Sequence, residues 1–184
     1  GYPPGDFGNP SPWKAITGDF NGDGKTDYAR LGATTAYVFL SNGNGTFAAS
    51  IQGYPPGDFG NPSPWKTIIG DFNGDGKTDY ARLGATTTYV FLSNGDGTFS
   101  ASGESYPAGW NFEWSNVWEA STGDFSGDGK TDYARLGATY TQIFRSNGDG
   151  TFSPSTQYYP AGWNFENPSP WKTIIGDFNG DGKT

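Results

Sequence analysis

Between Trp65 and Ser102, apolar and polar positions fall into four short runs separated by clusters of Gly, Asn and Asp. Trp65 to Phe72 carries apolar residues at Trp65, Ile68, Ile69 and Phe72 and reads as a strand, and Tyr80-Ala81-Arg82-Leu83 reads as the strand that returns from the intervening turn. Gly84 and Ala85 then lead into Thr88-Tyr89-Val90-Phe91-Leu92, whose β-branched and aromatic residues fit a pleated, half-buried surface. Asn94-Gly95-Asp96-Gly97 marks a second hairpin turn, since Asn and Gly accept the backbone angles that tight turns require. Thr98 to Ser102 is short and polar, as suits an outer edge strand. Tyr54 to Pro64 holds four prolines, so it cannot be a helix and reads as a rigid crossover.

The same order recurs along the chain. Gly70-Asp71-Phe72-Asn73-Gly74-Asp75-Gly76-Lys77-Thr78-Asp79 is repeated almost unchanged, its first Asp standing at 19, 71, 124 and 177, a spacing of 52 or 53 residues. A period near fifty residues with four short antiparallel strands and a crossover is the pattern of a propeller blade; a β-solenoid would need shorter periods. The expected fold is therefore all-β, a β-propeller with four-stranded antiparallel blades, with about 3.5 repeats in the 184 residues. The expected divisions are blade 1 over 1–53, blade 2 over 54–105, blade 3 over 106–158, and an extra inner strand with a truncated loop over 159–184. Propellers usually close with about four to eight blades, so a homo-oligomer is expected. Two chains would give a ring of about seven repeat lengths, or six complete blades with redundant inner strands; a fragment of a longer chain is the other expectation that fits the strand count.

In the repeated loop, Asp71, Asn73, Asp75 and Asp79 occupy positions 1, 3, 5 and 9, and Lys77 at position 7 can offer its backbone carbonyl. Hard oxygen donors in a flexible loop suit Ca²⁺, and Gly76 stands where the backbone must turn back toward an ion. The corresponding sets are Asp19, Asn21, Asp23, Lys25 and Asp27, then Asp124, Ser126, Asp128, Lys130 and Asp132, and finally Asp177, Asn179, Asp181 and Lys183 without a ninth residue. No Glu stands at position 12, so this is a calcium loop within a hairpin and not an EF-hand. Asn, Asp and Gly also make turns without any metal. Turn chemistry does not require the Asp at position 9, however, and three full copies retain it.

Eleven of the nineteen acidic residues lie in these loops, and the formal charge is −8. With no basic stripe to follow a phosphate backbone, nucleic acid is a poor partner. No apolar run approaches the length of a membrane span, and Gly-Tyr-Pro-Pro does not open a signal peptide. The absence of Met, even at position 1, is expected of a processed, engineered or partial chain. Aromatics make up 17% of residues while Leu, Ile and Val are sparse, so burial must rest on Trp, Tyr and Phe. There is no His or Cys, and the clustered carboxylates are accounted for as metal ligands. That leaves no nucleophile with a base and no assignable acid/base pair, so a binding protein and not an enzyme is expected.

Trp13, Trp65, Trp118 and Trp171 begin the innermost strands and are expected to wedge between blades. Trp110 and Trp163 lie in crossovers, beside Phe112 and Phe165. An indole face there would stack on the apolar face of a pyranose. Tyr28 and Arg30, Tyr80 and Arg82, and Tyr133 and Arg135 are spaced so that each pair shares one strand face. Such a pair either grips sugar hydroxyls or packs the Arg stem along the blade.

The core Gly-Asp-Phe-Asn-Gly-Asp-Gly-Lys-Thr-Asp-Tyr-Ala-Arg-Leu-Gly resembles the FG-GAP/VCBS repeat of calcium-binding propellers, including the integrin head, over the whole chain. Ser-Asn-Gly-Asp-Gly-Thr-Phe together with Tyr106-Pro107-Ala108-Gly109-Trp110 is similar to the repeats of mushroom β-propeller lectins of the Psathyrella velutina and Pleurotus ostreatus type. That resemblance implies sugar pockets on or between blades and glycan partners of galactose or N-acetyl-hexosamine type. The first two crossovers read Tyr-Pro-Pro-Gly-Asp-Phe, so Asp6 and Asp58 depart from the Gly-Trp pattern that Trp110 and Trp163 keep, and the His of the velutina-type repeat is absent. The third repeat diverges most, with Ser121 for Ile68, Gln142 for Tyr89 and Arg145 for Leu92. Two other roles fit the same repeats: a calcium-stabilised structural or adhesion scaffold without sugar binding, and an appendage of a larger enzyme or toxin.

Overall fold

The computed structural model describes residues 13–32, 34–54, 65–106, 118–165 and 173–184. Among them are twelve strands and no helix. The first sheet is formed by β1 (Lys14–Gly18), β2 (Asp27–Leu31), β3 (Thr35–Ser41) and β4 (Phe47–Gly53). The second holds β5 (Lys66–Gly70), β6 (Asp79–Leu83), β7 (Thr87–Ser93) and β8 (Phe99–Ser105). The third holds β9 (Glu119–Gly123), β10 (Asp132–Leu136), β11 (Tyr140–Ser146) and β12 (Phe152–Tyr158). Strand order follows chain order in all three, with every neighbouring pair antiparallel. These are three four-stranded blades of a partial β-propeller. Residues 173–177 make no strand, because an inner strand pairs only with the second strand of its own sheet and they meet none.

Two cores lie between the three sheets. Ile16, Phe20, Ala29, Leu31, Ala36 and Val38 of the first sheet bury against Tyr80, Phe91 and Phe99 of the second. Ile68, Phe72, Ala81, Leu83 and Val90 bury against Tyr133, Phe144 and Phe152 in the same way. Each sheet therefore sends one set of residues backward and the other forward, as the two-residue period of a strand allows. In each sheet one Tyr stacks on a Phe of the adjacent strand, with centroids 4.4 Å apart for Tyr28 and Phe39, 4.5 Å for Tyr80 and Phe91, and 4.3 Å for Tyr133 and Phe144. Sparse aliphatics are thus offset by ring pairs of large buried area.

The sheets are also joined by polar contacts at the loops. The backbone N–H of Thr78 donates to the Asp19 carbonyl (2.7 Å), and the Asp19 N–H donates back to the Thr78 hydroxyl (3.0 Å). Thr131 and Asp71 repeat both bonds at 2.7 and 3.0 Å. Gly70 precedes Asp71, and a Cβ there would overlap the Thr131 side chain. Gly70→Ala is accordingly expected to cost roughly 1–3 kcal/mol through this overlap, checked by urea denaturation.

Candidate functional site

Each loop folds around its first carboxylate. Asp71 Oδ1 accepts from the N–H groups of Gly74 (2.7 Å) and Asp75 (3.0 Å), and Oδ2 from that of Gly76 (2.8 Å). Gly74 and Gly76 have φ of 76° and 83°, angles at which a side chain is strained, so the winding depends on glycine. Asp79 is buried, accepting from Phe72 N–H (2.9 Å) and Ser93 N–H (2.7 Å), and so ties the loop to both hairpins. The loop around Asp19 keeps this arrangement with Asp27 in the buried position, and that around Asp124 keeps it at Asp124 and at the Ser146 N–H, while the buried Asp132 takes its other hydrogen bond from the Ser126 N–H (3.0 Å). In the fourth, Asp177 receives Gly180, Asp181 and Gly182.

The donor set fits a hard cation. Asp75 carries the Lys77 ammonium on one oxygen and the Asn73 side-chain amide on the same oxygen, while Lys25 and Lys130 meet Asp23 and Asp128 likewise. Hydrogen bonding to Asp75 raises the Lys77 ammonium above the usual lysine range, and the charges of Asp79 and Asp71 add to it. A cation is thus already drawn to the place where a divalent ion would neutralise the loop. Burial pushes the Asp79 carboxyl up to about 6, against its backbone hydrogen bonds and with help from the charges of Asp75 and Asp71; Asp132 is also raised, first by burial. Among the described residues no three acidic side chains form a ready-made metal group. Ion binding at Asp71, Asn73, Asp75, the Lys77 carbonyl and Asp79 would require the lysine ammonium to leave Asp75.

A raised carboxyl pKa favours the fold in its protonated form. In metal-free protein the Asp79 contribution is complete below its ordinary value of 3.8 and is lost as pH rises to about 6. Urea midpoints in EDTA are expected to fall over this window, and Asp79→Asn to remove that part of the slope.

Tyr80, Arg82, Tyr133 and Arg135 are not on a surface that glycan can reach. All four are buried between sheets, because each middle or last sheet has a neighbour packed on the face that carries them. Arg82 Nη2 donates to the Gly32 carbonyl of the preceding sheet (3.2 Å), and Arg135 Nη2 to that of Gly84 (3.3 Å). Arg135 also bonds the Tyr106 hydroxyl and lies 4.2 Å from the Trp118 ring centre. These arginines bind sheets together, so the packing alternative holds for both pairs. Tyr28 and Arg30 belong to the first sheet and are half-buried.

The inner-strand tryptophans divide. Trp118 bridges sheets, with the Lys66 ammonium of the second sheet 3.7 Å from its ring and Arg135 of the third on it. Trp65 packs edge-on to Tyr89 of its own sheet (5.7 Å) and against the core shared with the first, while Trp13 packs on Tyr37 at 5.4 Å. Trp171, Trp110, Phe112, Asp6 and Asp58 lie outside the described residues.

Trp163 is 58% exposed at the end of a turn closed by its own N–H donating to the Pro160 carbonyl (3.0 Å). The crossover is fastened to the third sheet: Tyr159 N–H donates to Thr139, Phe165 N–H to Ala138, and the Tyr159 and Thr141 hydroxyls share a hydrogen bond. Phe165 stands edge-on to both Trp163 (6.1 Å) and Tyr159 (4.9 Å). Trp163 therefore presents an indole face on a supported segment. Tyr140 and Tyr158, cross-strand partners in β11 and β12, add a second exposed ring pair with centroids 5.9 Å apart. The sequence reading missed that pair; β12 is exposed from Pro154 to Tyr158, and an aromatic at the end of a polar outermost strand was the available signal.

The FG-GAP-like repeat profile matches residues 19–82, 71–134 and 124–184. The chain belongs to the FG-GAP-like repeat family. Its repeats are arranged as in an Agrocybe aegerita lectin whose structure concerns specific recognition of non-reducing terminal N-acetylglucosamine: 27% identity and a TM-score of 0.64 over 79% of this chain and 37% of that one. The chain thus spans well under half of that lectin's length. The Photorhabdus luminescens Tc holotoxin pore shares the fold at 21% identity and a TM-score of 0.59, over 83% of this chain and 7% of that chain. Among curated proteins no relative matches this sequence. Among the described residues of these FG-GAP-like repeats no helix is long and apolar enough to cross a membrane.

Proposed function

We propose that this chain is a calcium-binding β-propeller lectin that binds carbohydrate multivalently, as a homo-oligomer. The observation that carries this reading is Trp163, an exposed indole on a crossover fastened to the third sheet. A pyranose lays its C–H face on such a ring and leaves its hydroxyls to polar neighbours. Likeness to a lectin that recognises terminal N-acetylglucosamine supports N-acetyl-hexosamine over galactose. Calcium held by the complete loops would fix the hairpins that carry the crossovers. Burial of Tyr80, Arg82, Tyr133 and Arg135 favours the scaffold alternative for those four residues, and leaves sugar binding to the crossovers.

One stacked ring and a few hydroxyl bonds give single-site affinities on the order of 0.1 to 1 mM, because small polar ligands gain little net energy against water. Repeated sites on a clustered glycan surface add roughly 10² to 10⁴ in avidity. Haemagglutination in Ca²⁺ is therefore expected from the parent and lost from a Trp110→Ala/Trp163→Ala double variant with an unchanged melting curve. Agglutination by the variant at the parent's titre would overturn the crossover assignment.

A further inference from the structure

We infer that a second copy of this chain docks head to tail, placing the first sheet of one copy on the third sheet of the other. This deepens the oligomeric reading above, but it stands on the seam geometry and not on sugar binding. The two seams inside the chain are made by the same residues at repeat spacing. Their forward side offers Phe20 or Phe72, and on the outer strand Ser50 and Gln52 or Ser102 and Glu104; their backward side offers a Thr, a Ser, a turn Gly and a Phe. Ser93 Oγ donates to the Phe20 carbonyl and Ser146 Oγ to that of Phe72, both at 2.5 Å. Ser50 Oγ donates to the Gly97 carbonyl (2.6 Å), and Ser102 Oγ to that of Gly150 (2.9 Å). The Phe99 N–H donates to Gln52 and the Phe152 N–H to Glu104. The rings of Phe20 and Phe99, and of Phe72 and Phe152, stand 5.8 Å apart.

The outer faces of the first and third sheets carry the two halves of this seam. On the first sheet, Thr26, Ser41, Gly45 and Phe47 occupy the places of Thr78, Ser93, Gly97 and Phe99. Phe47 is 43% exposed where Phe99 is 3%, and Thr26 and Gly45 are exposed where Thr78 is half-buried and Gly97 buried. On the third sheet, Phe125, Ser155 and Gln157 occupy the places of Phe72, Ser102 and Glu104, with Ser155 and Gln157 exposed. Each half has the residue types that its counterpart meets twice within the chain, so another copy of the same sheet fits it. A contact between unlike faces of identical chains closes when the rotation between sheets returns to its start. Two copies give six sheets, within the usual range of about four to eight blades.

Residues 173–184 bear on the inner position of this third seam. Thr184 N–H donates to the Asp124 carbonyl (2.8 Å), the bond that Thr78 and Thr131 make in the other two. Lys172 to Thr184 repeats Lys14 to Thr26 except for Thr173 in place of Ala15 and Ile175 in place of Thr17. Either stretch, but not both, can fill that inner position, so docking displaces one of them; Phe47, Ser155 and Gln157 lie outside both stretches.

The test is the mass of the 184-residue chain and its variants by light scattering at tens of micromolar, with circular dichroism to confirm folding. The parent is expected at twice the monomer mass. Phe47→Asp and Ser155→Arg, each at an exposed position, are expected at monomer mass with unchanged spectra. Mixing them is expected to restore a dimer, because the intact third sheet of the Phe47 variant can receive the intact first sheet of the Ser155 variant. A parent at monomer mass overturns the inference, as do variants that stay dimeric or a mixture that stays monomeric. Loss of glycan binding with the dimer intact would instead overturn the lectin reading alone.

Discussion

Transfer from excess Ca²⁺ to EDTA is expected to lower the melting temperature of this chain by on the order of 10 to 30 °C. A site at a hundred times its dissociation constant contributes about 2.7 kcal/mol, and three complete loops would contribute roughly three times that. For a chain of this length one kcal/mol moves the midpoint by about 2 to 4 °C. The loops give the physical cause. Without an ion, the carboxylate at position 5 has the lysine of its own loop as counter-charge, and in the second loop the charges of Asp75 and Asp71 still bear on Asp79, so a divalent ion that replaced the lysine would neutralise acid charges that otherwise face one another. Differential scanning calorimetry provides the measurement, and superimposable traces in EDTA and Ca²⁺ would remove calcium from the account.

The second large effect is expected at Phe72. Its side chain is 0% exposed between the second and third sheets, edge-on to Phe152, and its carbonyl receives the Ser146 hydroxyl. Phe72→Ala should cost about 3 to 5 kcal/mol, the usual loss when a buried ring is replaced by a cavity. Phe178 has the same place in the repeat but is 78% exposed, so Phe178→Ala in the monomeric Phe47→Asp background should lie within about 0.5 kcal/mol of that parent. Equal losses at the two positions, read from urea denaturation, would contradict the seam description.

That contrast also bears on what was legible in the sequence. Periodicity and turn residues were enough to place the three sheets and their hairpins, because strand alternation and Asn-Gly or Asp-Gly turns are local signals. The fourth strand was read as Thr98 to Ser102, yet β8 extends to Ser105, because Gly103 to Ser105 pair with Thr87 to Tyr89 across the sheet. Pairing across strands is not local. The Asp-Tyr-Ala-Arg-Leu strand is written identically three times; it is buried throughout in β6 but alternates between buried and half-buried in β2. Burial there depends on whether a sheet packs on each side, which no five residues encode. Glycan access to Tyr80 and Arg82 was for that reason open in the sequence and closed in the structure. The exposed Trp163 was legible, since a Trp outside the strand pattern in a Pro/Gly crossover has no core to enter.

The central claim is sugar recognition by these repeats, and a glycan array probed in Ca²⁺ tests it most directly. Binding concentrated on glycans with terminal N-acetylglucosamine or related N-acetyl-hexosamines, and reduced by Trp163→Ala, is the result expected. No glycan binding by the folded, calcium-loaded chain would contradict the claim and leave a structural propeller in its place.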